Sequence, residues 1–251
     1  MDALQIESPV AGVRLLRLHR PQACNALTTA LQQAIDQALI EAEADQAVRA
    51  VVITGEGEQA FSAGYDVKEL AGFDETRLLE NYLQRQRLLL GLAKFPKPLI
   101  AAVNGLAHGG GAILATLCDL RIGGLNSEFR FTAAAYNGVN NTWQLPLLIG
   151  PAKALEFVMT ARVVPAREAL ACGLLNAIAE NGSVVDAALN VAAQIAMHPP
   201  AGVRWHKALI RERAGRSLEQ AFDAENAVMS GPLRPGRAAQ TFDAFLASRK
   251  R

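Results

Sequence analysis

The stretch KFPKPLIAAVNGLAHGGGAILATLCDLR, residues 94–121, changes character twice. Pro96 and Pro98 break whatever precedes them. Residues 98–105 then form an apolar run ending in glycine, the pattern of a strand buried on both faces. Three glycines follow His108, and the apolar residues after them suit a helix to about Asp119. A strand, a glycine turn and a helix in that order can aim backbone N–H groups at an oxygen gaining negative charge. Close packing of a helix on a strand would also need small residues there. A dinucleotide fingerprint is excluded, because Leu114 stands where its last glycine belongs. A phosphate loop is excluded too, since no Gly-Lys-Ser/Thr end follows. Residues 98–118 carry no formal charge and nearly match a membrane span in length, but Asn104, His108 and the glycines argue against one.

A second segment resembles the first in its order of parts. AVVITG (50–55) is another continuous apolar run, and AFSAGYDVKEL (60–70) follows it with its own glycine. Asp66 and Glu69 have the spacing of a capping box, so a short helix is expected there. Two glycine turns, one after each buried strand, can each offer one N–H to a single oxygen. Two such donors are what a thioester enolate or a tetrahedral oxyanion requires.

Further out, VRLLRL (13–18) reads as a strand. Thr28 caps a helix with the apolar stripe Leu31, Ala34, Ile35, Ala38, Leu39 and Ala42. A longer helix is predicted over 75–93, and short strands near 120–123 and 128–131. This alternation argues for an α/β fold with parallel pairing. Beyond residue 180 the pattern is helical, over 184–197, 201–214, 217–229 and 235–248, with Ser217 and Gln220 as another capping box.

Composition narrows the function classes. The chain has 251 residues, 51% hydrophobic and 20% charged, with net charge +1. That charge gives no field to hold nucleic acid or an anionic membrane. Cys24, Cys118 and Cys172 are too few and too far apart for a disulfide framework or a metal site. The opening residues lack the basic-then-apolar pattern of a signal peptide, so a cytoplasmic location is expected.

LHRPQACNAL (18–27), AFSAGYDVKEL, the 94–121 stretch and MTARVVPAREALACGLLNAI (159–178) together resemble the crotonase family, that of enoyl-CoA hydratase and isomerase. The motifs come in family order over roughly residues 10–180. The resemblance implies an α/β fold in which residues 1–180 form a spiral of ββα units and residues 181–251 a helical C-terminal trimerisation region. It implies a homotrimer or a hexamer built as a dimer of trimers. It also implies an acyl-CoA substrate, with coenzyme A entering as part of that substrate and no metal or redox cofactor. Carried over residue by residue, the two oxyanion donors fall on the backbone amides of Tyr65 and Gly110. The CoA-binding segment falls on Ala23, Ala63, Asp66, Val67 and Lys68, with Lys68 near the nucleotide phosphates. A CoA-contacting lysine near the C-terminus of a neighbouring subunit in the family matches Ser248 here, followed by Arg249 and Lys250.

The match breaks at the catalytic acids. In the family's hydratases one glutamate sits two residues after the third glycine, and here Ile113 stands there. The second glutamate belongs in FRFTAAAYNGVNNTWQLP (129–146), at Ala133 or Ala134. Water addition needs one group to activate water and another to supply a proton. Without both, decarboxylation of a malonyl-type thioester, thioester hydrolysis, or non-catalytic acyl-CoA binding become alternatives to hydration and isomerisation. Replacement groups are few. His108 precedes the glycine loop as a candidate catalytic base, and the Tyr65 hydroxyl is a candidate proton donor. Asn141 is the candidate substrate-binding residue among Tyr136, Asn137, Asn140 and Trp143, and Ile113 itself lines the acyl site.

Overall fold

The computed structural model describes residues 3–234 and residue 236. The helix expected over 235–248, and Ser248, Arg249 and Lys250, lie outside them.

The first strands form a hairpin: β1 (Leu4–Val10) runs antiparallel to β2 (Val13–Leu18). Then follow α1 (Thr29–Ala44), β3 (Ala50–Gly55), β4 (Ala60–Ser62), α2 (Val67–Leu70) and α3 (Glu75–Lys94). Next come β5 (Leu99–Val103), β6 (Leu106–His108), α4 (Gly110–Leu117), β7 (Leu120–Gly124) and β8 (Glu128–Arg130). The rest of this unit is α5 (Leu145–Ile149), α6 (Pro151–Thr160), β9 (Val164–Pro165), α7 (Ala166–Ala171), β10 (Ala177–Ala179) and α8 (Val184–Ala196).

Two sheets result. The larger has the order β1-β2-β3-β5-β7-β10 and is parallel from β2 onward. The smaller has the order β4-β6-β8-β9, with β4, β6 and β8 parallel. Each turn of the chain therefore lays one strand in the large sheet and the next in the small one, then crosses back. β3-β4-α3, β5-β6-α4 and β7-β8 are three such turns, which is the ββα spiral.

Every residue of β3 and β5 is buried, as their unbroken apolar runs predicted. One face of the large sheet packs with α1, α3 and α4 through residues such as Leu16, Ile53, Leu31, Leu92 and Leu114. The other face, with Val52, Ile100 and Ile122, is covered by Ala188, Leu189, Ala192 and Ala196 of α8. Helix α8 thus belongs to the compact unit that ends at Met197. A second unit begins at His198 and carries α9 (Pro200–Arg211) and α10 (Leu218–Ser230). The Ser217–Gln220 capping box forms as expected. Thr28 caps α1, its hydroxyl accepting from the Leu31 amide at 3.2 Å.

One expectation holds and two change. Residues 98–118 are β5, β6 and α4 rather than one span, and among the described residues no helix is long and apolar enough to cross a membrane. β4 and β6, each three residues long, leave no period in the sequence, and neither is among the strands it predicts. The Asp66–Glu69 box forms only by half. Asp66 accepts from the amides of Lys68 and Glu69, but the Glu69 carboxylate accepts from the Thr29 amide at 2.8 Å and so ties α2 to α1.

Candidate active site

β4 and β6 are parallel neighbours, so the turns leaving their C-terminal ends lie side by side. The first turn holds Gly64 and Tyr65, the second Gly109 and Gly110. Gly64 has φ +98°, and a Cβ there would stand 2.8 Å from both Gly110 N and His108 O. Only a residue without a side chain lets the two turns touch. Gly64→Ala is expected to cost about 1–3 kcal/mol in backbone strain alone, and to separate the turns. Chemical denaturation together with acyl-CoA turnover checks this. A variant unchanged in both would mean that the turns do not meet as described.

Two backbone amides of these turns, those of Tyr65 and Gly110, donate to no backbone acceptor among the described residues. Tyr65 pairs with Leu27 in a single parallel bridge, through Leu27 N–H to Gly64 O at 2.7 Å and Asp66 N–H to Leu27 O at 3.2 Å. The Tyr65 N–H is left outside that pairing. Gly110 is the first residue of α4, so no carbonyl one turn earlier accepts from its N–H. The positive end of the helix dipole adds to the attraction for an anion there. The glycines of the second turn divide the work. Gly109 takes φ +49°, while a Cβ on Gly111 would overlap the Ser62 carbonyl of β4. Close packing and a free helix terminus are thus both present, on neighbouring residues.

The Tyr65 side chain closes one side of the junction. A Cβ on Gly110 would stand 2.9 Å from Tyr65 Cζ, so the ring lies directly on that glycine. The phenol oxygen is buried and has no hydrogen-bond partner. Burial raises its pKa above the ordinary 10.0, against the opposing pull of Arg85, so the phenol keeps its proton at neutral pH. The Arg85 guanidinium of α3 sits 4.0 Å from the centre of the same ring. Its Nη2 donates to Asn81 Oδ1 at 3.0 Å, and the Asn81 amide donates in turn to Thr29 Oγ1 at 2.8 Å. Sequence reading missed Arg85, since one arginine among the polar residues of an amphipathic helix carries no signal of its own.

The expected CoA segment comes together at the outer side of the first turn. Ala63 N–H donates to Cys24 O at 2.8 Å, which brings the Pro21–Ala23 turn beside residues 63–68. Ala63, Val67 and Lys68 are exposed. Asp66 is committed to structure: it caps α2 and pairs with Arg20, Nη1 to Oδ2 at 2.9 Å. Burial works to raise the Asp66 pKa, but Arg20 and the two capping amides outweigh it and hold the carboxyl below its ordinary value.

The candidate base is placed differently. Ala107 and Phe129 point into the core, so the neighbouring side chains His108 and Glu128 lie on the other face of the small sheet. His108 Nε2 meets Glu128 Oε1 there at 2.9 Å. Burial lowers the His108 pKa, against the pull of Glu128, so the ring is neutral at pH 7.

The two positions where the hydratases carry glutamate are unlike each other. Ile113 is 3% exposed, inside the main core cluster. Ala133 and Ala134 lie on a single turn of 3-10 helix (Ala133–Tyr136). Just before them Thr132 is close to the glycine turn, its hydroxyl 3.0 Å from where a Gly109 Cβ would be. Asn141 is 3% exposed and donates to Thr116 Oγ1 of α4 at 3.0 Å, with its own Oδ1 buried and unpartnered. Among the described residues no group of His, Cys, Asp and Glu is clustered to ligate a metal ion.

A ββα spiral whose two glycine turns meet at the ends of β4 and β6 defines an α/β protein of the crotonase type. Residues 9–251 match the enoyl-CoA hydratase/isomerase family. The short-chain-enoyl-CoA hydratase of Clostridium acetobutylicum is 30% identical over 241 residues, covering 95% of this chain and 92% of that one. The 2,3-dehydroadipyl-CoA hydratase of Escherichia coli is 33% identical over 216 residues, 85% of this chain and 84% of that one. Among solved structures, an enoyl-CoA hydratase from Bacillus anthracis superposes with TM-score 0.92 at 28% identity, over 98% of this chain and 97% of that one. The chain belongs to the enoyl-CoA hydratase/isomerase family and is an enzyme of that family acting on acyl-CoA.

Proposed function

We propose that an acyl-CoA thioester binds with its carbonyl oxygen between the amides of Tyr65 and Gly110, and that these donors stabilise the enolate or related oxyanion of the reaction. The observation that carries this is the contact of the two glycine turns, each contributing an N–H with no protein acceptor. Donors fixed before the reaction act on charge as it develops, without reorganisation. The CoA moiety lies along Ala23, Ala63, Asp66, Val67 and Lys68, and no further cofactor takes part. Relatives named for short-chain enoyl-CoA and 2,3-dehydroadipyl-CoA support an acyl thioester as the substrate.

The reaction runs without the family's pair of glutamates. Ile113 offers no proton, and His108 is engaged with Glu128 across the small sheet. The buried, protonated phenol of Tyr65, whose ring lies on Gly110, is then the candidate proton donor. That arrangement favours reactions that need an enolate but little proton shuttling, such as decarboxylation, over addition of water. The enzyme works in the cytoplasm as a homotrimer or hexamer, which light scattering on the intact chain checks. Mass spectrometry of the purified protein with a panel of enoyl-, malonyl- and saturated acyl-CoA thioesters tests the function. Conversion of at least one is expected. Binding of CoA thioesters with no conversion of any would leave a non-catalytic acyl-CoA-binding protein.

A further inference from the structure

We propose that Arg85 reads a carboxylate carried by the acyl portion of the substrate, so that the preferred thioesters are those of dicarboxylic acids. This rests on the acyl-CoA reading above and narrows it to a substrate class.

Arg85 has an unmet requirement. A guanidinium carries five N–H donors, all in its own plane. Asn81 takes one of them, through Nη2. Stacking on Tyr65 satisfies the face of the group and leaves its edge unanswered. The Nε–H is buried and has no partner. Among the described residues Arg85 forms no ion pair. Arg85 is half-buried, and its buried Nε–H, with no counter-charge among the described residues, leaves a donor that a ligand acceptor can take. A carboxylate is the small anion whose shape and charge fit that planar edge.

The position ties this requirement to the reacting end of the substrate. One aromatic ring, that of Tyr65, touches both Gly110 and Arg85. A thioester oxygen at Gly110 therefore lies a short acyl chain away from the guanidinium. The buried phenol oxygen of Tyr65 lies beside the same guanidinium, within reach of a carboxylate bound there. Asn81, 3% exposed and held by Thr29, fixes the arginine in place before any ligand arrives.

Calorimetric titration with chain-matched saturated thioesters tests this: malonyl- against propionyl-CoA, glutaryl- against pentanoyl-CoA, adipyl- against hexanoyl-CoA, and free CoA. The wild type is expected to bind at least one dicarboxylic thioester about 10- to 100-fold more tightly than its neutral partner, the contribution of a hydrogen bond to a charged group. In Arg85→Gln that preference disappears, while neutral thioesters and free CoA bind as before. Equal affinities within every pair in the wild type would overturn the proposal, and this needs no variant to fold. An equal loss for free CoA in Arg85→Gln would overturn it as well, because the arginine would then be reading a CoA phosphate. Failure of every thioester and of CoA to bind would overturn the acyl-CoA reading itself, and this proposal with it.

Discussion

Gly110→Pro turns over the best acyl-CoA substrate about 10²- to 10³-fold more slowly than Gly110→Ala, the usual effect of losing one oxyanion donor. Alanine is the proper reference. Both substitutions add a Cβ at the place 2.9 Å from Tyr65 Cζ, so both push the ring aside. Only proline also removes the N–H. Its position favours folding, because Gly110 is the first residue of α4 and proline is well tolerated there. Thermal melting verifies that both variants fold. Steady-state kinetics on both then compares the site with and without this amide, proline also placing its Cδ where the oxygen would sit. Loss of the donor should fall on kcat, since it acts on charge that develops in the transition state. Equal turnover by the two folded variants would remove Gly110 from the oxyanion site.

Crotonyl-CoA is hydrated very slowly by the unmodified protein. General acid–base groups contribute about 10²–10⁴ each, and neither aligned position carries one. Ile113 is a core side chain, and Ala133 and Ala134 are methyl groups on a surface turn. The two losses need not multiply, because residues that act as a unit are not additive. Following the enone absorbance gives a direct answer. Disappearance at about 10 per second or faster, the median for enzymes, would show that Tyr65, His108 or another group supplies the missing chemistry. Ile113→Glu together with an acid at Ala133 or Ala134 should raise the rate. It should also lower Tm, because an unpaired carboxylate at so buried a site is costly. A rescued rate at unchanged Tm would place residue 113 at the wall of a solvated pocket instead.

Much of the fold was legible in local pattern. The unbroken runs of β3 and β5 and the stripe of α1 are long enough to show a period, and Thr28 and Ser217 announce helix starts by chemistry that needs only their neighbours. The three-residue strands β4 and β6 are too short for any period. They exist because each pairs with a strand far along the chain, and pairing partners are not written in local sequence. β1 was missed for a related reason: only one of its residues is buried, so its alternation is weak.

The candidate site divides in the same way. The sequence alone determined the two glycine turns, their order after buried strands, the resemblance to the crotonase family and the absence of acids at positions 113, 133 and 134. Those are properties of residue type and spacing. Only the tertiary structure decided that Gly64 and Gly110 touch, because their contact depends on β4 lying beside β6. It turned His108 away with Glu128, since side chains alternate across a strand and Ala107 had taken the core side. It placed Arg85, remote in sequence from both turns, against the Tyr65 ring by packing α3 beside α4. A side chain's neighbours follow from how elements pack, and packing is a property of the whole chain.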